Sequence, residues 1–158
     1  LESYWASHMD LLGHDPLLKL DDRSWPVRTT AETRPPARCH GSASIDDALL
    51  SPGCVVGGRV ERSVLGPGVV VEEGAHVQDS VLLDGTVVEA GASVSGVICD
   101  MHVRIGGHAR VGDQGGAGRA RSDDDLVVLG EGVEVAGGTE MEPGARQSGP
   151  GTVGGQQP

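Results

Sequence analysis

With 158 residues and a formal charge of -11, the chain has room for one modest domain with flanks and is too acidic to offer the basic face that a nucleic-acid backbone requires. It has 26 glycines, one tyrosine, two tryptophans and no phenylalanine, so aromatic rings cannot supply its core. No run of about 18 apolar residues is present to cross a membrane, and Cys39, Cys54 and Cys99 lack the number and spacing of a disulfide framework or a zinc site. No charged-then-apolar leader opens the chain, so small reduced core thiols in a cytoplasmic protein are the expectation. The start at Leu1, without an initiator Met, suggests a piece of something longer.

The first forty residues read as a helix and a linker. YWASHMDLLG, from Tyr4, places Trp5, Met9 and Leu12 on one side of a helix, and Gly13 is its stop. LDDRSWPVRT (20–29) and PPARC (35–39) follow, and Pro26, Pro35 and Pro36 hold this stretch extended. Trp25 and Val27 make it too apolar to float freely. Without further cover, Trp5 and Leu12 would form an exposed patch of the kind that marks a contact surface.

Residues 41–146 repeat. SVLGPGVVVEEGA (63–75) returns as SVLLDGTVVEAGA (80–92), seventeen positions on. Val60, Val77, Val94 and Val111 share that spacing, as do Val71, Val88 and Ile105. Self-similarity of this kind marks a solenoid, in which each unit buries its apolar face only against its neighbours. Within a unit, aliphatic residues open six-residue words and a small or branched residue follows four places later: Val56 with Val60, Leu65 with Val69, Val71 with Ala75, Val77 with Val81, Leu83 with Val87, Ile105 with Ala109. A helix cannot absorb so much Gly, Pro and Val. Short strands can, with Gly or Asp turning the corner between words. Three strands then close one triangular coil of about eighteen residues, aliphatic side chains inward.

The period breaks over 112–126, where GDQGGAGRARSDDD has no apolar ladder and reads as a loop. LGEGVE, VAGGTE and MEPGAR, from Leu129, make one further coil, and the Gly- and Gln-rich tail 147–158 is expected to be disordered.

Few residues suggest chemistry of their own. GGAGR (115–119) has the look of a phosphate loop but opens no apolar helix, and a lone glycine motif is weak. His76, His102 and His108 admit a hexapeptide acyltransferase with a histidine general base, although no Ser-His-Asp spacing selects one of them. Asp123, Asp124 and Asp125 read as a solvated charge run. No catalytic residue, no metal ligand set and no cofactor are assigned to the chain.

The words ESYWASHMDLL, LDDRSWPVRT and PPAR, followed by hexapeptide repeats of the form [LIV]-[GAED]-x-x-[STAV]-x, resemble the carboxyl-terminal third of bacterial ADP-glucose pyrophosphorylase (glucose-1-phosphate adenylyltransferase). Its typical text runs ESYWEANMDLL, LYDRNWPIRT, PPAK, SLVSPGCVISG and SVLSPGVRV. The likeness covers 1–105 in order and reaches Leu129 more loosely.

It implies an all-β fold, a left-handed parallel β-helix behind a short helix and a Pro-rich linker; periodicity alone says nothing of the hand. It implies a parent enzyme that joins ATP to glucose 1-phosphate, with magnesium, giving ADP-glucose and pyrophosphate for glycogen synthesis. The family's GGxGTRL loop and D-V-G-T segment belong to an amino-terminal catalytic domain that is absent here, so the chain alone is expected to be inactive. The partners implied are that catalytic domain, further copies of the chain (a tetramer in the parent) and a phosphorylated effector, with neither nucleic acid nor membrane. Arg28 and Arg38 in the linker words, and Arg119 and Arg121 in the family's R-A-R text, are the candidate anion ligands. One departure is Met101, where the family has Lys or Arg after I-x-D. A non-catalytic scaffold is the remaining alternative to the regulatory domain and the acyltransferase.

Overall fold

The computed structural model describes residues 1–20, 22–26, 33–116 and 118–154. Three parallel sheets of seven, six and six strands form the sides of a triangular solenoid, and each strand hydrogen-bonds to those one coil away.

The inward columns follow from the two-residue alternation of extended backbone. On the first side Cys39, Val56, Val71, Val88, Ile105, Val135 and Val153 lie in register. On the second stand Ile45, Val60, Val77, Val94, Val111 and Met141. On the third stand Leu50, Leu65, Leu82, Cys99, Leu129 and Gln147. From Val56 to Val135 these columns are fully buried and form one apolar cluster. At about 1.5–3 kcal/mol for each buried Val, Leu or Ile, the columns replace the missing aromatics.

The third side corrects the expected register. Leu82 points inward, whereas Val81 and Leu83, which the six-residue words place inside, pack with Leu49 beneath a helix on the outer surface. Val87, also expected inside, stands beside inward Val88 as the outer residue of a first-side strand.

That helix, α1, runs Glu2–Met9, starting two residues earlier than expected. The chain turns after it, with the Leu12 N–H donating to the Met9 carbonyl at 3.0 Å, and Gly13 takes the left-handed backbone (φ +90°) that ends the segment. Trp5, Met9 and Leu12 join Val81, Ile98 and Leu126 in a second apolar cluster. The patch expected to lie open is therefore closed by the solenoid's own third side. Trp25 does not anchor the linker, since it is 65% exposed, and Val27 lies outside the described residues. Arg34 holds the end of the linker instead, through Asp84 at 2.8 Å.

Both ends of the solenoid extend further than expected. Arg38–Cys39 is already a strand, and Gly151–Val153, within the stretch read as a tail, pairs with Val133–Val135. Val153 continues the inward column of the first side, which gives this Gly-rich segment a reason to order.

Candidate functional site

Among the described residues, the corner between the second and third sides gathers the largest linked group of charged contacts. Asp79 sits there with a left-handed backbone (φ 45°) and no solvent exposure. Asp tolerates that conformation better than most residues. Its carboxylate accepts from Arg62 Nε at 3.1 Å, from the Gly118 N–H at 3.1 Å on both oxygens, and from Arg121 Nη2 at 3.4 Å. Its carbonyl accepts from the Trp5 indole at 2.7 Å. Helix α1, the coil corner and the loop after Gly112 thus meet on one residue.

The loop folds back through opposite charges. Arg121 has a fully buried side chain, donates to Ser95 Oγ at 2.9 Å, and has Asp113 at 4.0 Å. Its guanidinium lies over Gly96, where a Cβ would come within 2.3 Å of Nη1, so the corner needs a glycine at that level. Arg119 pairs with Asp113 at 2.5 Å and Asp125 at 3.2 Å. The backbone N–H and hydroxyl of Ser122 hold Asp125 below the ordinary carboxylate range, with the nearby Arg119 adding to the effect. With the contact of Arg62 to Asp47 at 3.7 Å, an alternating series runs Asp47, Arg62, Asp79, Arg121, Asp113, Arg119, Asp125.

Of the candidate anion ligands, Arg119 and Arg121 come together through Asp113, while Arg38 stands on the outer surface of the first side, opposite this corner. Arg28 lies outside the described residues. Arg121 is engaged inside the protein, and Arg119, 47% exposed, is the most open guanidinium of this corner, ahead of the partly exposed Arg62. Met101 is also exposed.

The other candidates do not converge on chemistry. His76 pairs with Glu61 at 2.9 Å on the second side. Burial pushes Glu61 up, but Arg59 and His76 outweigh it and hold the carboxyl below its usual value. His102 and His108 occupy left-handed corner positions and are exposed. Asp123 faces the Glu2 N–H at 2.5 Å while Asp125 faces Ser122, so the acidic run serves internal contacts. Among the described residues no group of three metal-ligating side chains forms. Burial raises the Cys54 and Cys99 thiols, which suits inert core residues.

Asp79 and Arg62 were missed by sequence reasoning, yet a signal was present. Positions 62, 79 and 96 are seventeen apart, one coil per step, so stacking the repeats would have aligned arginine, aspartate and glycine at one corner.

A three-sided parallel solenoid built from six-residue words, with no assembled catalytic group among the described residues, defines a hexapeptide-repeat protein. Residues 35–135 match the family model described as GlmU-like, C-terminal hexapeptide, and the chain belongs to that family. It is 33% identical over 140 residues to the glucose-1-phosphate adenylyltransferase of Cutibacterium acnes, covering 85% of this chain and 34% of that protein. The enzyme of the same name from Frankia casuarinae is 35% identical over 146 residues, covering 86% and 35%. That of Streptomyces avermitilis is 43% identical over 75 residues, covering 48% and 18%. The chain therefore spans about a third or less of the length of these relatives. Among solved structures, the acetyltransferase domain of PglB from Neisseria gonorrhoeae FA1090, in complex with acetyl coenzyme A, matches 73% of this chain and 56% of that chain at 22% identity. Its TM-score of 0.33 is too low to carry an argument.

Proposed function

We propose that this chain is the repeat domain of a glucose-1-phosphate adenylyltransferase, serving the enzyme by attachment, assembly and regulation. In this reading a separate catalytic domain, with ATP and magnesium, forms ADP-glucose in the cytoplasm. The observation that carries it is the likeness to such an enzyme over 85% of the chain, at 33% identity.

Homo-oligomerisation is part of the reading, as is a phosphorylated effector. Arg119 is the guanidinium placed to meet an anion at the loop corner, and a phosphate arriving there competes with Asp113 and Asp125. Arg121 and Arg38 would join such a site only if the loop left Asp79 and a second surface came close.

The test is to read the DNA upstream in frame for GGxGTRL and DVGT and to express both lengths. ADP-glucose formation from ATP and glucose 1-phosphate is expected of the longer protein and not of the 158-residue chain. Turnover by the short chain, or tight acetyl-CoA binding to it, would end this reading.

A further inference from the structure

The three outer faces differ in what covers them. On the third side, Leu49, Val64, Val81 and Ile98 lie in or against the cluster under α1. The second side presents Ser44, Arg59, His76, Ser93, Arg110 and Glu140, a polar column that water satisfies. The first side presents Arg38, Val55, Val70, Val87, Arg104 and Glu134 in register. Its three valines are half-buried and belong to neither apolar cluster.

The charges bounding that column are informative. Arg104 is neutralised within the chain by Glu89 at 3.1 Å. Arg38 and Glu134 are exposed, and among the described residues neither has a salt bridge. With strands about 4.8 Å apart, the two stand five levels apart on one straight column, Arg38 at the start and Glu134 beyond Arg104.

We infer that the first side is a self-complementary interface, on which a second copy of this chain packs face to face with its solenoid axis reversed. This rests on the homo-oligomer reading above and names the surface. A two-fold axis lying in the plane of the interface, perpendicular to the solenoid axis and level with the gap between Val70 and Val87, sets Val70 against Val87 of the second copy. The same axis sets Val55 against the stem of Arg104, and Arg38 against Glu134, each contact occurring twice. An isologous interface requires this reciprocity. Shifting the axis half a level, onto Val70, would oppose Arg38 with Arg104, two like charges, so the pattern selects one register. Apolar contacts at the centre and ion pairs at the rim follow the usual anatomy of an interface.

The test is the oligomeric state of the 158-residue chain by sedimentation equilibrium, for wild type, Val70→Asp, Arg38→Glu and the exchange Arg38→Glu with Glu134→Arg. Both charge positions are exposed, so the fold should tolerate these changes, and circular dichroism checks it. Expected are a self-associating wild type and dissociation by Val70→Asp. Arg38→Glu should weaken association by about tenfold or more, and the exchange should restore it to within about threefold. A monomeric wild type would remove the oligomer reading along with this interface. An oligomer indifferent to Val70→Asp and Arg38→Glu would leave that reading standing and overturn the face. Weakening by Arg38→Glu without recovery in the exchange would overturn the Arg38–Glu134 pairing.

Discussion

The indole of Trp5 donates to the carbonyl of Asp79, 2.7 Å away and 74 residues on in sequence. This bond ties α1 to the residue whose carboxylate anchors the loop after Gly112. Trp5→Phe should remove the bond while keeping most of the ring's area, at about 1 kcal/mol. Trp5→Ala should cost about 3–5 kcal/mol by also emptying the space over Val81 and Ile98. Denaturant melts of both variants separate the two contributions, and a Trp5→Phe variant as stable as the wild type would show that the bond contributes nothing beyond packing.

Asp79→Asn keeps the shape and the left-handed backbone but removes the charge between Arg62 and Arg121. Breaking a buried pair from one side costs about 3–5 kcal/mol, because the remaining charge stays desolvated. Hydrogen exchange should show residues 113–125 losing protection first. Replacing Arg121 by Met in the same chain should recover part of the loss. Unchanged protection of the loop in Asp79→Asn would contradict the anchoring role.

Gly96→Ala brings two costs. Its φ of +67° disfavours any L side chain by about 1–2 kcal/mol, and the new methyl meets the Arg121 guanidinium. The guanidinium must leave its position beside Asp79, so loop protection should fall as it does in Asp79→Asn. Gly138→Ala is the control, since its φ is similar (+71°) and nothing lies within 4 Å of its added Cβ. A melt in which the two variants lose equal stability would show that Arg121 does not crowd the corner.

Acid should weaken the loop closure. Asp125 and Glu61 are held below their ordinary values in the folded chain. A carboxyl lowered on folding contributes stability above its unfolded pKa of about 3.9–4.3 and loses it as pH falls through the folded value. Melting temperature should therefore be flat in these groups from neutrality down to about pH 5 and fall below about pH 4. Asp125→Asn should flatten that fall, most visibly at low salt because the group is partly exposed. An identical acid slope in Asp125→Asn would rule out its part in the effect.

Much of the architecture was legible because the inward columns of Val, Leu and Ile recur at a spacing that suits only stacked coils. The third side was misread by one position for a physical reason. In Val81, Leu82 and Leu83 the alternation disappears, because α1 makes the outer surface apolar as well as the inner one. Tail ordering was missed because a single side chain, Val153, carries it, and the rest of that strand contributes only backbone. Arg119 and Arg121 could be picked out as a basic pair. Their partners could not, since Asp79 lies 42 residues before Arg121 and its burial comes from a loop that folds back over it.

That return of the loop also sets how the molecule should come apart. Coils in a solenoid touch only their neighbours, so unravelling from the carboxyl end meets a modest barrier at each step. The strands from Val127 to Val153 can peel away in this manner. Peeling then reaches a segment hooked backwards onto Asp79, which lies in an earlier coil that has not yet opened. Gly118 and Arg121 act there as a rivet, and the coils before it should survive as a block when those after it have frayed.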